Sequence, residues 1–101
     1  MSGTTKTYVD YMWWFAKWCR EYSGEWFGNV LDIGCNDGTQ LDAFERLGFI
    51  THGVDPAENL YTTSSSKGHR VICDFWNEDT AQKLSKNKFN IVVSQNAFEI
   101  G

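Results

Sequence analysis

The stretch Leu31-Asp32-Ile33-Gly34-Cys35-Asn36-Asp37-Gly38-Thr39 decides how this 101-residue chain is read. Val30-Leu31-Asp32-Ile33 is a short apolar run of strand type. Gly34 and Gly38 follow it, and helical spacing begins at Thr39. The two glycines let the backbone turn sharply and remove side chains that would block a ligand. Ligands of open α/β sheets bind at the carboxyl ends of strands, where this turn would lie. A dinucleotide fingerprint reads G-x-G-x-x-G. Here Asn36 holds the second glycine position and Thr39 the third, so the spacing disfavours a pyrophosphate. Asp32 points the same way, because a carboxylate repels a pyrophosphate and attracts positive groups.

Outward from this turn the pattern alternates. Thr39 to Leu47 reads as a helix with Leu41, Phe44 and Leu47 inward, and Gly48 stops it. Phe49 to Val54 is a second strand. Asp55 suits the N-cap of the next helix and Pro56 its first turn. The polar run from Thr62 to Gly68 is expected to close that helix in a loop. Arg70 to Cys73 is a third strand, Asn77 caps a short helix through Leu84, and Phe89 to Ser94 is a fourth strand. Strand-helix repeats of this length imply right-handed βαβ units, a parallel sheet and an α/β fold.

Upstream lies a different segment. Nine of the sixteen aromatic residues fall between Tyr8 and Phe27. Thr7 and Asp10 read as a capping box, with Tyr8, Tyr11, Met12, Phe15, Cys19 and Tyr22 on one helical face and Trp14 and Trp18 on its flank. Ser23-Gly24 ends this helix. It fits either packing on the sheet or a lid over a ligand. The expected division is therefore an aromatic helix, residues 1–27, and an α/β unit, residues 28–101.

Composition narrows the function. Nine Lys and Arg stand against thirteen Asp and Glu, a net charge of −4 with a pI near 5.0. No basic cluster is present to grip nucleic acid through phosphates. No apolar run is long enough to span a membrane, and no secretory leader is visible. Cys19, Cys35 and Cys73 are odd in number and form no C-x-x-C, against a disulfide framework or a zinc site. The reducing cytoplasm is the expected compartment. Cys35 lacks a nearby His and reads as a small turn residue. His52 and His69 lack ligand spacing and read as structural.

The order of these segments resembles the class I S-adenosylmethionine-dependent methyltransferases. Asp32-x-Gly34-x-x-x-Gly38 is similar to their first motif, and Gly34-Cys35-Asn36-Asp37-Gly38 to the GxNDG turn of sugar C-methyltransferases and their relatives. Gly53-Val54-Asp55-Pro56 resembles the second motif. The resemblance implies a Rossmann-like three-layer α/β/α fold with strands in the order three, two, one, four, and S-adenosylmethionine as cofactor. By that likeness Asp32, Gly34, Cys35, Asn36 and Gly38 would hold the cofactor. Asp55 would take both ribose hydroxyls, as an ionised carboxylate can from a vicinal diol. Pro56 would lie on the adenine, with Asp74 and Phe75 at its amino group and ring, and Gln95 and Asn96 at the reactive end. Asp55, Asp74, Gln95 and Asn96 also fit plain cap and loop roles.

The likeness has departures. Ile100 stands where many relatives carry His after a Glu, so Glu99 is a weak candidate base and the catalytic residue is open. The Cys-rich zinc region of the sugar C-methyltransferases is missing. The family's sheet has seven strands, whereas this sequence ends after the fourth. The expectation is the cofactor-binding half of a methyltransferase for a small-molecule acceptor such as a sugar. It would be a fragment, or be completed by a second copy or another chain. The other readings are an inactive cofactor-binding module completed by a partner, and a nucleotide-linked oxidoreductase. Strand four would become an edge, its apolar run beside open hydrogen-bonding groups.

Overall fold

All four expected strands form, and they pair in parallel. The computed structural model describes residues 5–94. It runs α1 (Lys6–Ser23), β1 (Gly28–Ile33), α2 (Thr39–Arg46), β2 (Phe49–Val54), α3 (Glu58–Ser66), β3 (Arg70–Ile72), α4 (Glu78–Leu84) and β4 (Ile91–Val93). The sheet order is β3-β2-β1-β4, as the resemblance implies. β1 is central because its apolar run is paired on both sides: Gly28–Ile33 lies against Phe49–Val54, and Val30–Asp32 against Ile91–Val93. A parallel strand covered on both faces needs such a continuous run rather than alternation. Val30, Leu31 and Asp32 are accordingly all buried.

Two cores follow from the strand period of two. Val30 joins Ala16 and Cys19 of α1, Ala43 and Phe44 of α2, Phe49, Ile91 and Val93 on one face. Leu31 joins Val54 and Leu84 of α4 on the other, with Ile33, Ile72 and Phe89 packed against them. The aromatic helix thus shares a core with the sheet.

Several local expectations are corrected. Thr5, not Thr7, caps α1, accepting from the Tyr8 amide at 3.2 Å. The buried stripe of α1 is Met12, Ala16 and Cys19, whereas Tyr11, Trp14, Trp18 and Tyr22 stay exposed. The reason is close approach. Ala16 is small, and the buried Gln40 of α2 donates from Nε2 to the Met12 carbonyl at 2.8 Å, so the helices meet closely along this stripe, with Trp13 packed beside it. The rings stack along the flank instead, Tyr11–Trp14 at 5.7 Å, Trp14–Trp18 at 6.5 Å and Trp18–Tyr22 at 4.9 Å. The Ser/Thr run is not a loop. It is the body of α3, where Ser64 and Ser66 hydroxyls donate back to the carbonyls of Tyr61 and Thr63. α3 begins later than expected, with Ala57 rather than Asp55 at its N-cap. Asn77 does cap α4, in a capping box with Thr80.

Candidate functional site

The turn after β1 is built from three left-handed residues at alternate positions: Gly34 (φ 80°), Asn36 (φ 57°) and Gly38 (φ 88°). Asn36 is the one non-glycine residue among the described residues with positive φ. Asparagine tolerates this region better than most side chains because its short amide bonds locally. It does so here, its Oδ1 accepting from the Asp37 amide at 2.8 Å. Asn36 therefore performs backbone work that glycine does in a G-x-G-x-x-G turn. Asp37 then secures the start of α2, its Oδ1 accepting from the Thr39 amide at 3.1 Å and hydroxyl at 2.7 Å.

Backbone bonds tie this turn to the end of β2. The amides of Gly34 and Cys35 both donate to the Val54 carbonyl. The Asp55 carboxylate completes the tie. Its Oδ2 accepts from the Asn36 amide at 3.0 Å and its Oδ1 from the Ala57 amide at 2.9 Å. Asp55 is thus not a helix cap but a clamp between two strand ends, and each oxygen keeps a lone pair for a further donor. The Asp55 amide donates in turn to Ile72 of β3 at 3.1 Å, and the Cys73 thiol lies 3.8 Å from the Pro56 carbonyl. The loops after β1, β2 and β3 form one contiguous rim.

Asp32 lies beneath this rim. It is fully buried, and neither carboxylate oxygen has a hydrogen-bond partner among the described residues. Burial, and secondarily the charge of Asp55, pushes its pKa up to about 8. An unpaired buried carboxylate is costly, and strongly perturbed acids gather at functional sites. The Tyr8 phenol of α1 feels the same field. Its pKa is raised by burial first, then by Asp37 and Asp32. The Cys35 side chain is buried against β2, where a Cβ on Gly53 would come 2.6 Å from its Sγ. Only the Cys35 backbone can reach a ligand, and burial raises the thiol to about 12.

The remaining expected residues are spread along the rim. Pro56 is exposed. Asp74 accepts from the Phe75 amide at 2.7 Å, and the Phe75 ring is exposed. Gln95, Asn96, Glu99 and Ile100 lie outside the described residues. Asp37, Tyr8 and Gln40 belong to the site's framework, and of these Tyr8 and Gln40 lie outside every motif. Only Asp37, within the GxNDG-like turn and two residues before a helix start, has a local signal. Beside the rim, an apolar groove of about 610 Å³ runs between α1 and β4, lined chiefly by Phe15, Trp18, Tyr22, Val92 and Ser94. Among the described residues no helix is long and apolar enough to cross a membrane.

Comparison with known proteins agrees with this architecture. DesVI of Streptomyces venezuelae is similar in structure, with a TM-score of 0.54 and 24% identity over 68% of this chain and 30% of its own. The plantazolicin methyltransferase BpumL, solved in complex with SAH, gives a TM-score of 0.50 and 19% identity over 66% of this chain and 29% of its own. The chain thus spans less than a third of either structure. No curated protein is matched. A family described as a methyltransferase domain matches residues 31–100, from the heart of β1 past the end of β4. The chain therefore belongs to the methyltransferase domain family.

Proposed function

We propose that the chain is the cofactor-binding half of an S-adenosylmethionine-dependent methyltransferase for a small organic acceptor, a sugar or another metabolite, working in the cytoplasm. One observation carries this reading: the buried Asp32, without a bonded partner among the described residues, lies below a turn bent by Gly34, Asn36 and Gly38. Unpaired acceptors in an acidic pocket suit a ligand bearing positive groups. The cofactor has two, a sulfonium and an α-ammonium. Asp55, fixed by two amides, offers its remaining lone pairs to the ribose diol. That BpumL was solved with SAH supports the same cofactor class.

When bound, the cofactor supplies a methyl group on a sulfonium, an excellent leaving group. The chain's own residues hold and orient it. Gly34, Asn36 and Gly38 provide the open backbone, Asp32 the charge, Asp55 the ribose contact, and Pro56, Asp74 and Phe75 the adenine surroundings. Such alignment and water exclusion are the protein's main contribution to an in-line transfer. The groove between α1 and β4 begins at Ser94, beside the rim, and its apolar lining suits part of a small acceptor.

Isothermal titration of the folded chain with S-adenosylmethionine, SAH and NAD tests the reading. Heat with the two sulfur compounds and none with NAD is expected. No heat with either sulfur compound overturns it, and heat with NAD alone favours the oxidoreductase reading.

A second reading is a cofactor-binding module completed by another polypeptide or a second copy. It is favoured by β4, the outer strand of the described sheet, where Val92 is 55% exposed. Sedimentation at several concentrations tests it. A well-behaved monomer at all of them counts against a second copy.

A further inference from the structure

We infer that His69, which no motif of the site includes, is a positioning residue that holds the turn after β1 in its cofactor-receiving shape. This rests on the cofactor reading above. His69 sits just before β3, with its side chain wholly inaccessible to solvent. Its Nδ1 is 2.6 Å from the Thr51 hydroxyl in β2, and its Nε2 is 2.7 Å from Asp42 Oδ1 in α2. An ionised carboxylate only accepts, so Nε2 carries a proton. In the neutral ring Nδ1 then accepts from Thr51. Held at both nitrogens, the ring cannot swing.

What it is held against is Gly38. A Cβ placed on Gly38 would lie 3.1 Å from His69 Cδ2 and 3.2 Å from Ser64 Cβ, so the imidazole and the buried Ser64 form a wall behind the turn. Asp42 closes the loop. Its backbone amide donates to the Gly38 carbonyl at 2.8 Å while its carboxylate holds His69. One residue therefore couples the glycine to the ring that backs it. Lys67 fixes the other Asp42 oxygen at 2.9 Å.

This arrangement is not a poised metal site. Asp42, Glu45 and His69 do bring one donor atom each within 4.8 Å of one another. However, Nε2 and both Asp42 oxygens are already spent on one another and on Lys67. The cluster is a brace. A left-handed residue is not confined by its own backbone when it is glycine. The wall behind Gly38 confines it instead, and sub-ångström placement of a ligand-cradling turn decides affinity.

The test uses the whole chain in four forms: wild type, His69→Ala, His69→Gln and Asp55→Ala. SAH affinity is measured by titration calorimetry, folding by circular dichroism, and the Gly34–Gly38 amides by ¹H–¹⁵N correlation spectra. His69→Ala is expected to weaken SAH about tenfold and to shift the Gly38 amide. His69→Gln, whose amide reaches Asp42, is expected to recover to within about threefold and restore that resonance. If His69→Ala binds like wild type while Asp55→Ala does not, the inference is overturned and the cofactor reading stands. If Gln does no better than Ala, His69 matters only as core, and the inference is again overturned. A folded wild type that does not bind SAH overturns both.

Discussion

The Asn36 backbone amide donates to the Asp55 carboxylate at 3.0 Å, joining two turns nineteen residues apart in sequence. Through this bond the conformation of one turn controls the acid of the other. Asn36 can donate in that direction because its own backbone is left-handed.

Replacing Asn36 tests that dependence. Asn36→Gly keeps the left-handed region and is expected to leave stability nearly unchanged. Asn36→Ala is expected to cost about 1–2 kcal/mol, the penalty of that region for an ordinary side chain. Urea unfolding of both variants measures the difference. Equal stabilities would mean that the turn relaxes without cost.

Asp55→Ala is expected to weaken S-adenosylmethionine binding by roughly 1.5–3 kcal/mol, the range for hydrogen bonds to a charged group. It also frees the Asn36 and Ala57 amides, so a modest loss of thermal stability is expected alongside. Titration calorimetry on a folded sample separates the two effects.

Asp32 gives a pH dependence whose sign is fixed by its raised folded-state value. The unfolded chain ionises it near 3.8, whereas the native protein keeps its proton until about 8. The native state binds more protons between these values, so stability falls as pH rises through that window and levels off above it. His52 opposes this. Burial, and then Arg70, lowers its pKa, so its contribution rises as pH increases through the histidine range. Comparing wild type with Asp32→Asn cancels the histidine. The variant is expected to gain relative to wild type from pH 5 to 8, read from thermal melts. The same variant is expected to lose cofactor affinity, since the arriving positive charge no longer meets an ionisable partner.

The thiols should differ in reactivity. Burial raises Cys19 to about 11 and Cys35 to about 12, so neither forms much thiolate near neutrality. Cys73 is partly exposed. Brief alkylation at pH 8 followed by peptide mass mapping is expected to label Cys73 well before the other two.

Core packing provides a control for these site variants. Phe44 is fully buried and meets Phe49 edge-on at 5.8 Å. Phe44→Ala is expected to cost about 3–5 kcal/mol without specifically altering the rim. A site variant that matches this loss is a folding defect.

Much of the architecture was legible in the residues. Apolar runs of strand length, spaced by helical periods and closed by glycines, determine β1 to β4 and their parallel pairing, because those signals are local. Asp32, the glycines of the turn and Asp55 could be placed at strand ends for the same reason. Tertiary structure decided the rest. The inward face of α1 is not legible in its sequence because seven aromatic residues in eighteen blur the period, while a small Ala16 and the distant Gln40 set which face can approach α2. Asp55 looked like a cap until the Asn36 amide, on another turn, claimed its carboxylate. His69 had no spacing to recommend it, since its bonded partners Thr51 and Asp42 come from two other elements, β2 and α2. Local chemistry is written in sequence order, but hydrogen bonds and cavities are made between elements whose relative placement only the packed sheet defines.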